Sequence, residues 1–166
     1  MAFDTFCQME GIPGESTDDQ HKDWMELLSF GHSIHQPASP TASSVGGGGS
    51  ERSEHAPLYI ETLVDKSTPK IAEYCSSGKP VPKVTIECCR AGGDKLKYLE
   101  IKMENVVVSD IEFNAQAQGD GGFPKVRVGL DYGKILWTYT QQKRADGTGG
   151  GNVAGGWDRE ANKVNA

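Results

Sequence analysis

Apolar and polar residues alternate with a period of two along much of the chain. Val84, Ile86 and Cys88 alternate with Thr85, Glu87 and Cys89, and Leu99, Ile101 and Met103 with Glu100, Lys102 and Glu104. Val126, Val128, Leu130 and Tyr132 alternate with Arg127, Gly129 and Asp131, and Ile135, Trp137 and Tyr139 with Leu136, Thr138 and Thr140. Successive side chains of an extended backbone point to opposite faces, so each run predicts a half-buried β-strand. Weaker runs predict strands at 2–9, 58–64 and 110–115. Between them stand Ala91-Gly92-Gly93-Asp94, Gln118-Gly119-Asp120-Gly121-Gly122 and Tyr132-Gly133-Lys134, all turn chemistry. Short strands at such spacing predict a mainly β fold, a sandwich or barrel.

One segment breaks the alternation. Ser67-Thr68-Pro69 offers an N-cap followed by a proline suited to the first helical turn. Ile71, Ala72 and Cys75 form an apolar stripe, Gly78 supplies a stop, and Pro80 follows. A helix this short is marginal alone, so it must plug or flank the β-structure.

The stretch from Gly14 to Pro57 is the least ordinary. A strand-like run at 24–34 leads into Ser, Gly, Pro and Ala, with four consecutive glycines at Gly46–Gly49. Compact domains seldom hold a structureless loop beyond about 12–15 residues unless it is functional or disordered. The segment therefore predicts an arm spanning residues 37–57 on a single domain of residues 1–166. A Gly-rich tail, loop-like at its start, occupies 146–166, and Trp157 within it should dock on the body or on a neighbouring subunit.

A net charge of −6 with interspersed signs argues against electrostatic nucleic-acid binding. No apolar run approaches a membrane span, and residues 1–7 lack the pattern of a signal peptide. The expectation is folding in the cytoplasm without membrane insertion, with any export following a route that reads no N-terminal signal. Cys7, Cys75, Cys88 and Cys89 form no CxxC pair and read as reduced thiols. Adjacent Cys88 and Cys89 would point apart on a strand, which suits neither a shared metal nor a bridge.

Catalytic motifs come close and fail. Gly31-His32-Ser33-Ile34-His35 approaches a nucleophile elbow, but His35 replaces the final glycine and the setting is a strand. His32 and His35, three apart on a strand, face opposite ways and cannot share a metal. Ser77-Gly78-Lys79 has the ending of a phosphate loop, but Glu73 stands where its leading glycine belongs. No catalytic residue, cofactor or metal ligand is assigned. From the residues alone two classes remain: an assembly protein whose arm and strands contact further copies, or a small-molecule barrel with an internal cavity.

Several segments, in order and together spanning the chain, resemble the haemolysin-coregulated protein (Hcp) family of type VI secretion. They are the N-terminal segment from Met1 through Gly14-Glu15-Ser16, Asp65-Lys66-Ser67-Thr68-Pro69-Lys70, Cys75-Ser76-Ser77-Gly78-Lys79, Arg90-Ala91-Gly92-Gly93, and Gln141-Gln142-Lys143-Arg144-Ala145-Asp146-Gly147. The resemblance implies a β-barrel of two sheets with a short flanking helix and a long extended loop. It implies no enzymatic activity. It further implies a homohexameric ring, stacked into the inner tube of a contractile injection machine and expelled into target cells. Partners would be further copies, sheath and spike proteins, and small effectors carried in the lumen. In the family the strand matching 24–34 lines that lumen. Alternation then puts Leu28, Phe30, His32 and Ile34 on the core side, and Leu27, Ser29, Gly31 and Ser33 on the lumen side. The family commonly has a polar residue where this chain has Gly31, and glycine where it has Ser33. The arm would contact adjacent rings through Ser43, Ser44, Ser50, Glu51, Arg52 and Glu54. The alternatives to this reading are a ligand-binding barrel and a secreted protein acting directly as toxin or adhesin.

Overall fold

A computed structural model describes residues 3–37, 52–92, 95–116, 122–142 and 149–165. The chain runs β1 (Phe3–Met9), β2 (Met25–Gly31), β3 (Ile34–His35), β4 (Glu54–His55), β5 (Leu58–Leu63), α1 (Thr68–Ser77), β6 (Val81–Arg90), β7 (Lys97–Asn114), β8 (Lys125–Asp131), β9 (Lys134–Gln142), β10 (Gly149–Asp158) and β11 (Lys163–Val164). Six strands close into a barrel in the order β7-β6-β1-β2-β5-β8, with β8 pairing back onto β7. Strands β9, β10 and β11 extend the sheet outward from β7, and β3 and β4 pair as a separate ribbon. The two-sheet β-barrel with one short helix is therefore as expected.

Closure depends on β7. The runs expected as separate strands at 99–104 and 110–115 are one strand of 18 residues. Its first half pairs with β6 and β9, from Leu99 to Glu104 on the β9 side. Its second half, Val107 to Asn114, pairs with β8. The register slips between Val108 and Asp110. An extra residue of this kind bends a strand and increases its twist, which lets one strand serve two sheets. The phase of alternation also changes there, so the sequence looks like two strands.

The barrel interior is filled by side chains. Met9, Met25, Leu58, Ile60, Val84, Ile86, Ile101, Met103, Val126, Val128 and Leu130 are all buried in one cluster. Burying each large apolar side chain contributes about 1.5–3 kcal/mol. Helix α1 packs against β7 and adds Ile71 to the core. Its start differs from the expectation in detail. Ser67 makes no side-chain cap bond, while Thr68 Oγ1 accepts from the Asp65 N–H at 3.1 Å and Asp65 Oδ1 from the Ser67 N–H at 2.8 Å. Gly78 ends the helix at φ 71°, a left-handed conformation in which its lack of a Cβ matters.

Two strand expectations are corrected. The run at 24–34 is broken after Gly31, and β2 carries a bulge at Leu28 between the pairs Leu27↔Thr62 and Ser29↔Glu61. Leu27 consequently packs on the core and Leu28 is 50% exposed, opposite to the faces that unbroken alternation assigns. Phe30 does pack inward, and Ser29, Gly31 and Ser33 do lie exposed. The tail is likewise more regular than its composition implies. Gly149–Asp158 is a strand on β9, and Gly156 sits so close to the Asn165 carbonyl that a Cβ would meet it. Trp157 is docked on the core, as anticipated. Cys7, Cys75, Cys88 and Cys89 are free thiols, the first and last two buried.

The bulge makes a direct prediction. Met25→Ala should destabilise the chain by about 2–5 kcal/mol, because it leaves a cavity in the barrel. Leu28→Ala should cost less than about 1 kcal/mol. Chemical denaturation of the two variants measures both, and equal losses would contradict the bulged register.

Candidate functional site at the root of the arm

The outer face of the β2-β5-β8-β7 side is built from small and charged groups. Ser29 pairs with Glu61, Glu61 with Arg127, and Arg127 with Glu112. One step along, Gly31 pairs with Tyr59 and Tyr59 with Gly129. The Arg127 guanidinium lies 4.1 Å over the Tyr59 ring, a stacking that holds both groups flat on the sheet. Ser29, Gly31 and Ser33 line the groove beside them, with Ala56 and Pro57. Such a face offers hydroxyls, exposed backbone and paired charges, which suits contact with a polar protein surface. A Cβ built on Gly31 meets nothing within 4 Å. No close contact of the fold therefore requires glycine there.

The arm leaves and returns beside this face. Ile34 and His35 pair with His55 and Glu54, and the Ala56 N–H donates to the Ser33 carbonyl at 3.1 Å. The ribbon is anchored through one phenol. The Tyr132 hydroxyl lies 2.8 Å from His32 Nε2 and 2.5 Å from His55 Nδ1. With neutral rings it donates to one and accepts from the other. Tyr132 is itself buried, its ring packed under the Arg159 guanidinium, which bonds Asp131 Oδ1 and the Tyr132 carbonyl. Burial holds the Tyr132 hydroxyl well above its ordinary value. Burial lowers both histidines below theirs, with the positive Arg159 adding to each and His55 adding to His32.

Of the residues expected in ring assembly, Ser43, Ser44, Ser50 and Glu51 lie outside the described residues. Arg52 is exposed and lines a groove with Tyr132, Trp157 and Arg159, and Glu54 is exposed on β4. His35 is exposed on β3 and His32 is held on Tyr132. Sequence reasoning missed the His32–Tyr132–His55 cluster because its members are up to 100 positions apart and no local spacing joins them.

Comparison with known proteins shows the family of the chain. The family model for "Type VI secretion system effector, Hcp" matches residues 6–139. The chain belongs to the Hcp family. It is 31% identical over 165 residues to Protein hcp1 of Pseudomonas aeruginosa, covering 98% of each chain. It is also 27% identical over 136 residues to the Major exported protein of the same organism, covering 78% of this chain and 77% of that one. Among solved structures, a type six secretion system protein superposes with a TM-score of 0.90 at 28% identity, over 99% of this chain and 100% of that one. Hcp1 from Salmonella typhimurium superposes with a TM-score of 0.80 at 29% identity, over 99% of both. Hcp proteins are structural, secreted components of type VI secretion and not an enzyme family. No described helix of this Hcp chain is long and apolar enough to cross a membrane.

The histidine pair predicts acid sensitivity of the arm. In the unfolded chain both rings titrate near about 6.5. Their folded values are lower, so the anchoring is complete above that pH and is lost as pH falls through it toward the folded values. Amide hydrogen exchange at His55 and Ala56, corrected for intrinsic rates, should be about tenfold faster at pH 5 than at pH 7.5. Tyr132→Phe should remove that difference. Equal protection of the wild type at both pH values would contradict it.

Proposed function

We propose that this Hcp chain is the subunit of the type VI inner tube: six copies close a ring, rings stack, and the tube is expelled with small effector proteins held in its lumen. The observation that carries the reading is the full-length likeness, a TM-score of 0.90 over 99% of the chain. Surface chemistry supports it. Val153 and Tyr139 are paired across β10 and β9 and are 69% and 50% exposed. Elsewhere Leu28, Leu63, Val64 and Phe123 line a second exposed groove. Two different apolar surfaces are what a head-to-tail ring covers, each subunit laying one on the other of its neighbour.

In this reading Ser29, Gly31 and Ser33 face the lumen, and the arm at 37–57, including Ser43, Ser44, Ser50, Glu51, Arg52 and Glu54, reaches adjacent subunits and rings. Individual exposed ion pairs there would contribute only about 0–1 kcal/mol each. Stacking then depends on repetition around the ring and weakens with salt. Sheath and spike proteins are the further partners, and assembly precedes export from the cytoplasm. The packed barrel interior weighs against the ligand-barrel alternative, whose site would be that interior.

Mass measurement in solution at micromolar concentration should return six chains, and Val153→Glu should shift the population to monomers. A wild type that is monomeric at every concentration would overturn the ring. Gly31→Ser should fold with unchanged or slightly higher stability, since glycine in a strand costs roughly 0.5–1 kcal/mol. It should also raise the amount of effector co-purifying with rings, whereas Ser33→Arg should lower it. Effector levels indifferent to both substitutions would contradict the lumen assignment.

A further inference from the structure

The loop between β1 and β2 folds over the β6 end of the barrel and buries an imidazole among metal-ligand groups. His21 is 1% exposed, stacked on Phe6 with ring centroids 4.1 Å apart and met edge-on by Trp24. Its backbone is fixed by its N–H to the Asp18 carbonyl and by the Trp24 N–H to its own carbonyl. Its Nδ1 lies 2.8 Å from Asp18 Oδ2, and its Nε2 lies 2.7 Å from Glu87 Oε2 and 4.0 Å from Cys89 Sγ. Glu87 and Cys89 are two apart on β6, so the strand period puts both on the face toward His21. The pair that shares a site is thus Glu87 and Cys89, not the adjacent cysteines.

With Nδ1–H donating to Asp18, the Nε2 lone pair points at a carboxylate oxygen and a sulfur. A hydrogen bond joins Nε2 to the carboxylate oxygen at 2.7 Å and leaves the Cys89 sulfur outside it at 4.0 Å, whereas a metal ion joins all three atoms. The geometry points to a Zn²⁺ site formed by His21 Nε2, Glu87 Oε2 and Cys89 Sγ. Zinc–nitrogen and zinc–oxygen bonds of about 2.0–2.2 Å and a zinc–sulfur bond of about 2.3 Å place tetrahedral ligand atoms roughly 3.3–3.6 Å apart. The Nε2–Oε2 separation of 2.7 Å is shorter than that spacing and the Nε2–Sγ separation of 4.0 Å is longer, so uptake of the ion moves the Glu87 carboxylate outward and draws the Cys89 sulfur in; all three atoms lie within 4.8 Å of one another.

The surroundings match an outer shell. Asp18 orients the imidazole by its ring N–H, an arrangement common behind zinc-bound histidines. Asp18 uses its other oxygen for Lys95, and Glu87 uses Oε1 for Lys97 at 3.4 Å. Glu87 Oε2, which meets only the His21 Nε2 among these contacts, is the oxygen turned toward the ion's position. A neutral imidazole, a carboxylate and a thiolate balance the charge of Zn²⁺. The Glu87 side chain, 16% exposed, is the side from which the ion enters and at which water takes the fourth position.

The test uses untagged full-length protein, reduced and stripped with chelator, in its native assembly state. Titration with Zn²⁺ against a chromophoric chelator should show one equivalent bound per chain at micromolar or tighter affinity. Co²⁺ in its place should produce a thiolate-to-cobalt charge-transfer band. Cys89→Ser should abolish the band and, like Glu87→Gln, weaken zinc binding by at least the roughly 10–100-fold that loss of an outer-shell partner alone produces. Circular dichroism and assembly mass establish that each variant is folded, and Glu87→Gln, on a partly exposed side chain, keeps the test open if Cys89→Ser does not fold. No uptake of zinc at micromolar concentration would overturn the site and leave His21 as a hydrogen-bonded link between Asp18 and Glu87. Stoichiometric uptake that both variants leave unchanged would also overturn it, since the ion would then be elsewhere.

Discussion

Closure of the barrel by β7 is the constraint on which the rest of the molecule depends. Its first half belongs with β6 and β9 and its second half with β8, and the slip between Val108 and Asp110 provides the bend. Without that bend β8 would have no second partner and would itself end as an open edge beside β5. Closure removes that edge and gives Met103, Val108, Val128 and Leu130 a common interior. Because the interior is filled, the contacts proposed for this chain use the outside surfaces.

The outside is organised by the rim at Tyr132. This residue sits at the turn between β8 and β9, and its hydroxyl holds both ends of the arm through His32 and His55. Arg159, delivered by the tail, covers its ring and bonds Asp131. The arm root, the barrel rim and the C-terminal hairpin are thus one polar assembly around one buried phenol. The same burial that makes these hydrogen bonds strong keeps the histidines neutral, so the anchoring belongs to neutral pH. The His21 cluster is built from different groups. There carboxylates surround the ring, and Lys95 holds Asp18 down at about 2 while Glu87 faces the other nitrogen.

Membership of the Hcp family, shown over most of the chain, explains why a small domain carries so much exposed apolar surface and so long a connection between two paired strands. An isolated barrel needs neither. In the proposed ring, a subunit whose neighbours cover Val153, Tyr139 and Leu28 would need both, and the net negative, interspersed charge elsewhere would keep such an assembly in solution.

Local rules determined much of this protein from sequence alone. Period-two alternation placed β6, β8, β9 and the first half of β7, and Pro69 with Gly78 bounded α1. These signals are legible because they depend on backbone geometry that each residue carries with it. The order of the segments also carried the family resemblance. Tertiary structure decided what alternation misreads. An extra residue at Leu28 exchanged the faces of Leu27 and Leu28, and another near Ser109 fused two apparent strands into one. A glycine-rich tail that composition assigns to loop became β10, because pairing with β9 outweighs the weak strand preference of glycine. The histidine clusters belong to the same class. His21 meets Glu87 across 66 positions and His32 meets Tyr132 across 100. Only the closed barrel brings such distant residues within hydrogen-bond reach, and that closure is a property of the whole chain.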